Sequence, residues 1–240
     1  MRRLFQNPIA IILIIVMAGN AIFDGRFSDP MSWLQGMLLT LPGIVIALSF
    51  HEFAHAFVAV RCGDDTPRLQ GRVTLNPIAH FDVVGLIALI IIGFGWGKPV
   101  MINPRNFRKP RRDELLVSLA GVTMNFLLAF IFIGLFRLAP LLGGSFLSST
   151  VGTTLVLIVY YTAYINIVLM IFNLLPIPPL DGFNAVTQIF NLRRTELYYR
   201  IYDNGFPILM VLLMLNVTGR VLRPAVAAIM DFLLWVVFLI

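Results

Sequence analysis

LSFHEFAHAFVAV (residues 48–60) closes an apolar run that starts near Trp33, and its reading decides the fold. Two imidazoles and a carboxylate stand where the flanking residues suit hydrocarbon. Ionisable side chains at membrane depth are expensive, so they pair with one another, face a cavity or carry a function. The remainder of the chain has the composition to surround such a helix. Of its 240 residues, 59% are hydrophobic and 12% are charged, and the mean hydropathy is +0.89. A soluble domain carries about 25% charge, so an all-α polytopic membrane protein is expected. Little polar sequence is left over, and residues 1–240 are expected to form one membrane-embedded domain.

A spanning helix takes about 20 apolar residues. On that scale residues 8–23, 33–60, 114–142, 152–175, 206–217 and 224–240 predict about six transmembrane helices. The fourth is broken by prolines 176, 178 and 179, and a turn at Gly219-Arg220 parts the last two. Residues 83–92 are apolar but too short to span, and glycines crowd their far end, so a re-entrant segment is expected. GRVTLNP (71–77) and KPVMINP (98–104) read as short strands of a small sheet between the second and third helices.

The net charge of +6 implies no nucleic-acid partner, because basic residues gather in the cytoplasmic loops of membrane proteins. Arg2, Arg3, Arg61, Arg68, Arg72 and the run from Lys98 to Arg112 fall on one side, with Arg193, Arg194 and Arg200; Arg26, Arg220 and Arg223 fall on the other. This asymmetry predicts a multi-pass protein of the cell membrane with both termini cytoplasmic. Residues 1–23 resemble a signal peptide but lack a clear A-x-A site, so a retained first helix is expected. The one cysteine, Cys62, has no partner for an internal disulfide.

HEFAH is H-E-x-x-H. On a helix, residues four apart share a face, so His51 and His55 can grip one ion while Glu52 reaches a water beside it. Zinc suits two neutral imidazoles and one carboxylate with the fourth position open, where a water becomes a nucleophile at neutral pH. A third ligand is needed, and His80 and Asp181 are the candidates. The prolines before Asp181 must unwind the chain and let a carboxylate point into a cavity, which favours Asp181. Asp82 and Asp203 fall near predicted interfaces and are expected to be solvated. Asn125 and Asn173 are amides in apolar helices, able to donate to an oxyanion or a substrate backbone.

HEFAH, NLLPIPPLDG (173–182), their order and the hydrophobic frame resemble the site-2 protease family of intramembrane zinc metalloproteases. GRVTLNPIAHFD and SLAGVTMN (118–125) resemble segments of its compact prokaryotic members, and the likeness is densest over residues 34–184, within a catalytic core at about 34–190. The resemblance implies one Zn2+ per chain on His51, His55 and Asp181, with Glu52 activating the metal-bound water. It implies hydrolysis of transmembrane or membrane-proximal segments of protein substrates within the lipid bilayer, in regulated intramembrane proteolysis. The chain is expected to carry neither the PDZ nor the CBS modules of larger members. A substrate helix must unwind before it is cut, and Pro99, Val100, Met101, Ile102 and Asn103 could offer a strand edge for its freed backbone. The competing class is a membrane transporter or metal-handling protein using the same His/Glu/Asp site. Transport folds show paired broken helices, and only one marked break is evident here.

Overall fold

The computed structural model describes residues 8–23 and 27–239; Arg2, Arg3 and Arg26 of the orientation argument, and Ile240, lie outside them. Its main helices are α1 (Pro8–Phe23), α2 (Pro30–Arg61), α3 (Val83–Ile92), α4 (Pro110–Leu138), α5 (Thr150–Leu174), α6 (Asp181–Phe190), α7 (Glu196–Asp203), α8 (Gly205–Met214) and α9 (Val217–Leu239). Local chemistry sets the ends. Asp29 accepts from Ser32 N at 3.2 Å ahead of Pro30, a capped start with proline at the first position. Ser149 caps α5 through Gly152 N. α5 stops where Pro176, Pro178 and Pro179 begin, since proline cannot continue an α-helix.

The chain is an all-α membrane protein. Among the described residues, four helices are long and apolar enough to cross a membrane: α2, α4 with its 3-10 extension to Leu142, α5 and α9. The expected six spans are not matched. α1 has 16 residues and α8 has 10, or about 24 and 15 Å of helix against a hydrocarbon core of about 30 Å. The turn expected at Gly219-Arg220 falls earlier, where Asn216 adopts a left-handed backbone (φ 53°) and α9 begins at once.

α2, α4 and α5 all pack against one another, and α9 packs on α5 and α4. Val122, Ala129 and Ile133 of α4 meet Ala163, Ile167 and Met170 of α5 and Val226, Met230 and Leu233 of α9 in one buried cluster. In lipid such contacts are stabilised by close packing, because hydrocarbon outside is as apolar as the core. A second cluster joins Leu180 with Leu209 and Met210 of α8 and Leu13 and Met17 of α1.

The expected sheet is absent among the described residues. A single antiparallel bridge joins Phe81 and Gly97, extended by Lys98 N donating to His80 O at 2.7 Å. Side chains take the groups a ladder would have used. Val100 N donates to Glu52 and Asn103 N to Asp64, while Thr74 O accepts from His80 and Pro99 O from Arg72. Proline at 77, 99 and 104 removes further donors. The re-entrant expectation for residues 83–92 meets a helix with those bounds, capped by Asp82 at its start and ended by Gly93 at φ 80°.

Candidate metal centre

α2 presents His51 and His55 one turn apart toward α4, at 4% and 8% exposure. The proline break brings Asp181 back to them as the first residue of α6. Asp181 Oδ2 lies 3.0 Å from His51 Nε2 and 3.2 Å from His55 Nε2, and the two Nε2 atoms are 3.0 Å apart.

The protons on these rings follow from their far sides. His55 Nδ1 lies 2.7 Å from the backbone carbonyl of Val117, which can only accept. His51 Nδ1 lies 2.6 Å from Asn125 Oδ1. The orientation of that amide is fixed, because its NH2 donates to Ala47 O at 3.1 Å and to Asn166 Oδ1 at 2.9 Å. Asn166 is oriented in turn by donating to Thr162 O at 2.8 Å. Both imidazoles therefore donate from Nδ1 and carry a lone pair on Nε2. Two nitrogen lone pairs and one carboxylate oxygen then converge with no proton between them, and Asp181 Oδ2 is buried without a hydrogen-bond donor. Such a set repels itself unless a cation sits at its focus. Among the described residues this is the group of His, Cys, Asp and Glu able to hold a metal ion. Neutral imidazoles steadied by outer acceptors, with one carboxylate, fit a divalent transition ion.

Two glycines make room for the group. A Cβ on Gly121 would lie 2.4 Å from His51 Cε1 and 2.5 Å from His55 Nε2, so α4 can approach the rings only with glycine there. A Cβ on Gly182 would meet Leu174 O at 2.2 Å, so the turn that returns Asp181 to the histidines also excludes a side chain.

Glu52 lies beside His51 on α2, partly buried, and its Oε2 accepts from Val100 N at 3.1 Å. The segment bearing Val100 is itself held in place. Arg72, 5% exposed, donates to Pro99 O at 3.1 Å and to Ala79 O. Asp64, wholly buried, accepts from Asn103 N at 2.6 Å, Asn106 Nδ2 at 2.8 Å and Thr66 N at 3.1 Å. Burial pushes the Asp64 carboxyl up, but hydrogen bonds from Thr66, Asn103 and Asn106 outweigh it and hold the group below the ordinary carboxylate range.

The far end of α6 is tied to the start of α4. Arg111 donates to the carbonyls of Gln188 and Ile189 at 2.6 and 2.7 Å. The buried carboxylate of Glu114 accepts from Arg193 at 2.7 and 2.9 Å and from Gln188 Nε2. Asp181 thus heads a helix whose opposite end is clamped.

The structure brings His51, His55 and Asp181 together and leaves His80 out. His80 is fully buried, with Nε2 2.8 Å from Thr74 O in the loop before α3. Asp82 caps α3 through Gly85 N at 2.9 Å, and Asp203 is exposed. Asn125 departs from its expected use, since both of its N–H donors are committed within the protein and neither is free for a substrate. Asn173 donates to Leu169 O at 3.0 Å, one turn back on its own helix. Sequence reasoning passed over Asn166, Asp64 and the structural use of Arg72. A buried amide one turn after Thr162 in an otherwise apolar helix was the available signal for Asn166.

Comparison with known proteins identifies relatives of the chain. The model of Peptidase family M50 matches residues 140–216, which contain the proline break and Asp181. The chain is 38% identical over 205 residues to the Bacillus subtilis protein named "Putative zinc metalloprotease YwhC", covering 85% of this chain and 92% of that one. It is 29% identical over 233 residues to "Putative zinc metalloprotease Rip2" of Mycolicibacterium smegmatis, covering 94% of this chain and 87% of that one. To the Mycobacterium tuberculosis protein of the same name it is 32% identical over 168 residues, covering 68% of this chain and 61% of that one. No solved structure matches the chain. The chain is a metalloprotease with helices apolar and long enough to cross a membrane. The chain belongs to Peptidase family M50, the site-2 protease family.

Proposed function

We propose that the chain is an intramembrane zinc endopeptidase that hydrolyses peptide bonds in transmembrane or membrane-proximal segments of protein substrates. His51, His55 and Asp181 hold the ion and Glu52 is the general base. The observation that carries this is the convergence of two Nε2 lone pairs and an unpartnered carboxylate oxygen beside a glutamate that takes no part in the convergence. The names of the relatives support zinc as the ion.

Bound there, zinc would supply Lewis acidity toward water and the scissile carbonyl. Glu52 takes a proton from the attacking water and returns it to the departing amine, a general base that becomes a general acid. The N–H of Val100 steers its carboxylate. From His51 to Arg61 is about 15 Å of helix, so the reaction lies below the membrane surface and draws water through a protein-lined path. The basic residues at the end of α2 and the start of α4, among them Arg61, Arg108, Lys109, Arg111 and Arg112, support a cytoplasmic position for that end of a multi-pass protein.

Pro99, Val100, Met101, Ile102 and Asn103 lie outside any helix and have no strand partner among the described residues, and Met101 is 59% exposed. Pro99 O and the N–H groups of Val100 and Asn103 are taken by Arg72, Glu52 and Asp64, so the backbone groups left to serve as an edge for an unwound substrate are those of Met101 and Ile102. Cleavage at such a site is the step expected in regulated intramembrane proteolysis. The test is to purify wild type and Glu52→Gln, measure bound zinc and incubate each with a transmembrane model peptide. Matched zinc with cleavage by the wild type alone is expected. Equal cleavage by both proteins would remove Glu52 from the reaction, and zinc without cleavage by either would favour a metal-handling role.

A further inference from the structure

An open groove of about 490 Å³ lies outside the metal centre, where the start of α4 meets the end of α6. Pro110, Leu115 and Ile189 give it an apolar lining, and Lys109, Arg111 and Arg112 stand on it with their charges. None of the three cations forms an ion pair among the described residues. Arg111 is bonded only to the carbonyls of Gln188 and Ile189, which leaves its charge uncancelled. The nearby acids are occupied. Asp113 is buried and accepts from Lys109 N at 2.8 Å, and Glu114 is buried against Arg193 and Gln188. The first turn of α4, a 29-residue helix, adds the positive end of its dipole.

The position limits what can fill the groove. α4 is a candidate membrane span whose first residues, Arg111 to Glu114, are charged, so the groove lies at the polar end of that span, the end that faces lipid headgroups. Ile189 and Phe190 beside it are 52% and 67% exposed, an apolar surface next to the cations. A ligand matching both halves carries an anionic group above and an acyl chain beneath. Basic pockets between membrane helices recognise phospholipid headgroups through the same pairing of charge and burial.

We propose that this groove is a binding site for an anionic phospholipid, with the headgroup phosphate on Lys109 and Arg112 and an acyl chain along Leu115 and Ile189. The assignment stands independently of the peptidase reading, and its test reads lipid and not cleavage. The full-length protein is reconstituted in vesicles of equimolar phosphatidylglycerol and phosphatidylcholine. Co-purifying lipid is then quantified by native mass spectrometry for wild type and for the double variant Lys109→Gln/Arg112→Gln. The wild type should retain phosphatidylglycerol over phosphatidylcholine. Each basic residue near an anionic headgroup is worth roughly fivefold in affinity, so the double variant should lose about 25-fold. The retention by wild type should also fall with added salt, a reading that needs no variant to fold. Equal retention of the two lipids, or enrichment unchanged in the double variant, would overturn the site. Inorganic phosphate that displaces phosphatidylglycerol at the concentration at which it acts alone would assign the cations to a free anion and overturn the lipid.

Discussion

Replacing Asn125 with leucine tests how the metal centre is held. Asn125 is completely buried, and its Oδ1 receives the proton that fixes His51 with its lone pair on Nε2. Leucine keeps the volume and removes the acceptor. Without it the Nδ1 proton has no partner, and His51 loses both its tautomer and its ring orientation. Outer partners of metal-bound histidines are worth about 10–100-fold in metal affinity, or about 1.4–2.8 kcal/mol. The substitution also removes bonds to Ala47 O and Asn166 Oδ1, at about 0.6 kcal/mol each in a membrane protein, so the fold survives. The assay is zinc retained by purified protein across a series of chelator concentrations, with helicity followed in parallel. The midpoint for Asn125→Leu should move to weaker chelation by one to two decades, with helicity unchanged. Coinciding midpoints would refute the role of Asn125 as the residue that orients His51.

Gly121→Ala places a methyl group on both rings, which must move by roughly 1 Å to regain ordinary contact, a displacement that costs about 100-fold in rate when it reaches catalytic groups. Cleavage should fall by that order, and wild-type turnover by the alanine variant would sink the close-approach argument. Val100→Pro removes the N–H that holds Glu52. A hydrogen bond to a charged group is worth about 1.5–3 kcal/mol, so cleavage should fall about 10–100-fold with zinc content intact. Asp64 is held below the usual carboxylate value in the folded state, so its contribution to stability is complete above its unfolded pKa, near 3.8, and is lost as pH falls through the lower folded value. Thermal unfolding below about pH 4 should therefore decline less steeply for Asp64→Asn than for the wild type, and parallel curves would contradict the argument.

The parts of the site visible in the sequence were those that conflict with their surroundings. His51, Glu52 and His55 stand out because hydrocarbon disfavours them, and Asp181 because prolines 176, 178 and 179 cannot lie in a helix. What stayed hidden depends on which faces meet. Asn125 and Asn166 are amides whose donors and acceptors are assigned only when α4 contacts α2 and α5, so composition could not separate an oxyanion donor from a histidine acceptor. Residues 71–77 and 98–104 carry strand-like alternation, yet Arg72, Asp64, Glu52 and His80 take up the backbone groups a sheet would need. Hydropathy found the long helices but overrated residues 8–23 and 206–217, which are short; Leu13 and Met17 of the first pack with Leu209 and Met210 of the second around Leu180.

Zinc analysis of the purified wild type beside His51→Ala, His55→Ala and Asp181→Ala tests the centre most directly. One zinc per wild-type chain is expected, with loss of the ion in each variant while helicity is kept. A wild type that holds no zinc, or an Asp181→Ala protein that holds it as firmly as the wild type, would contradict the arrangement of two rings and one carboxylate around a single ion.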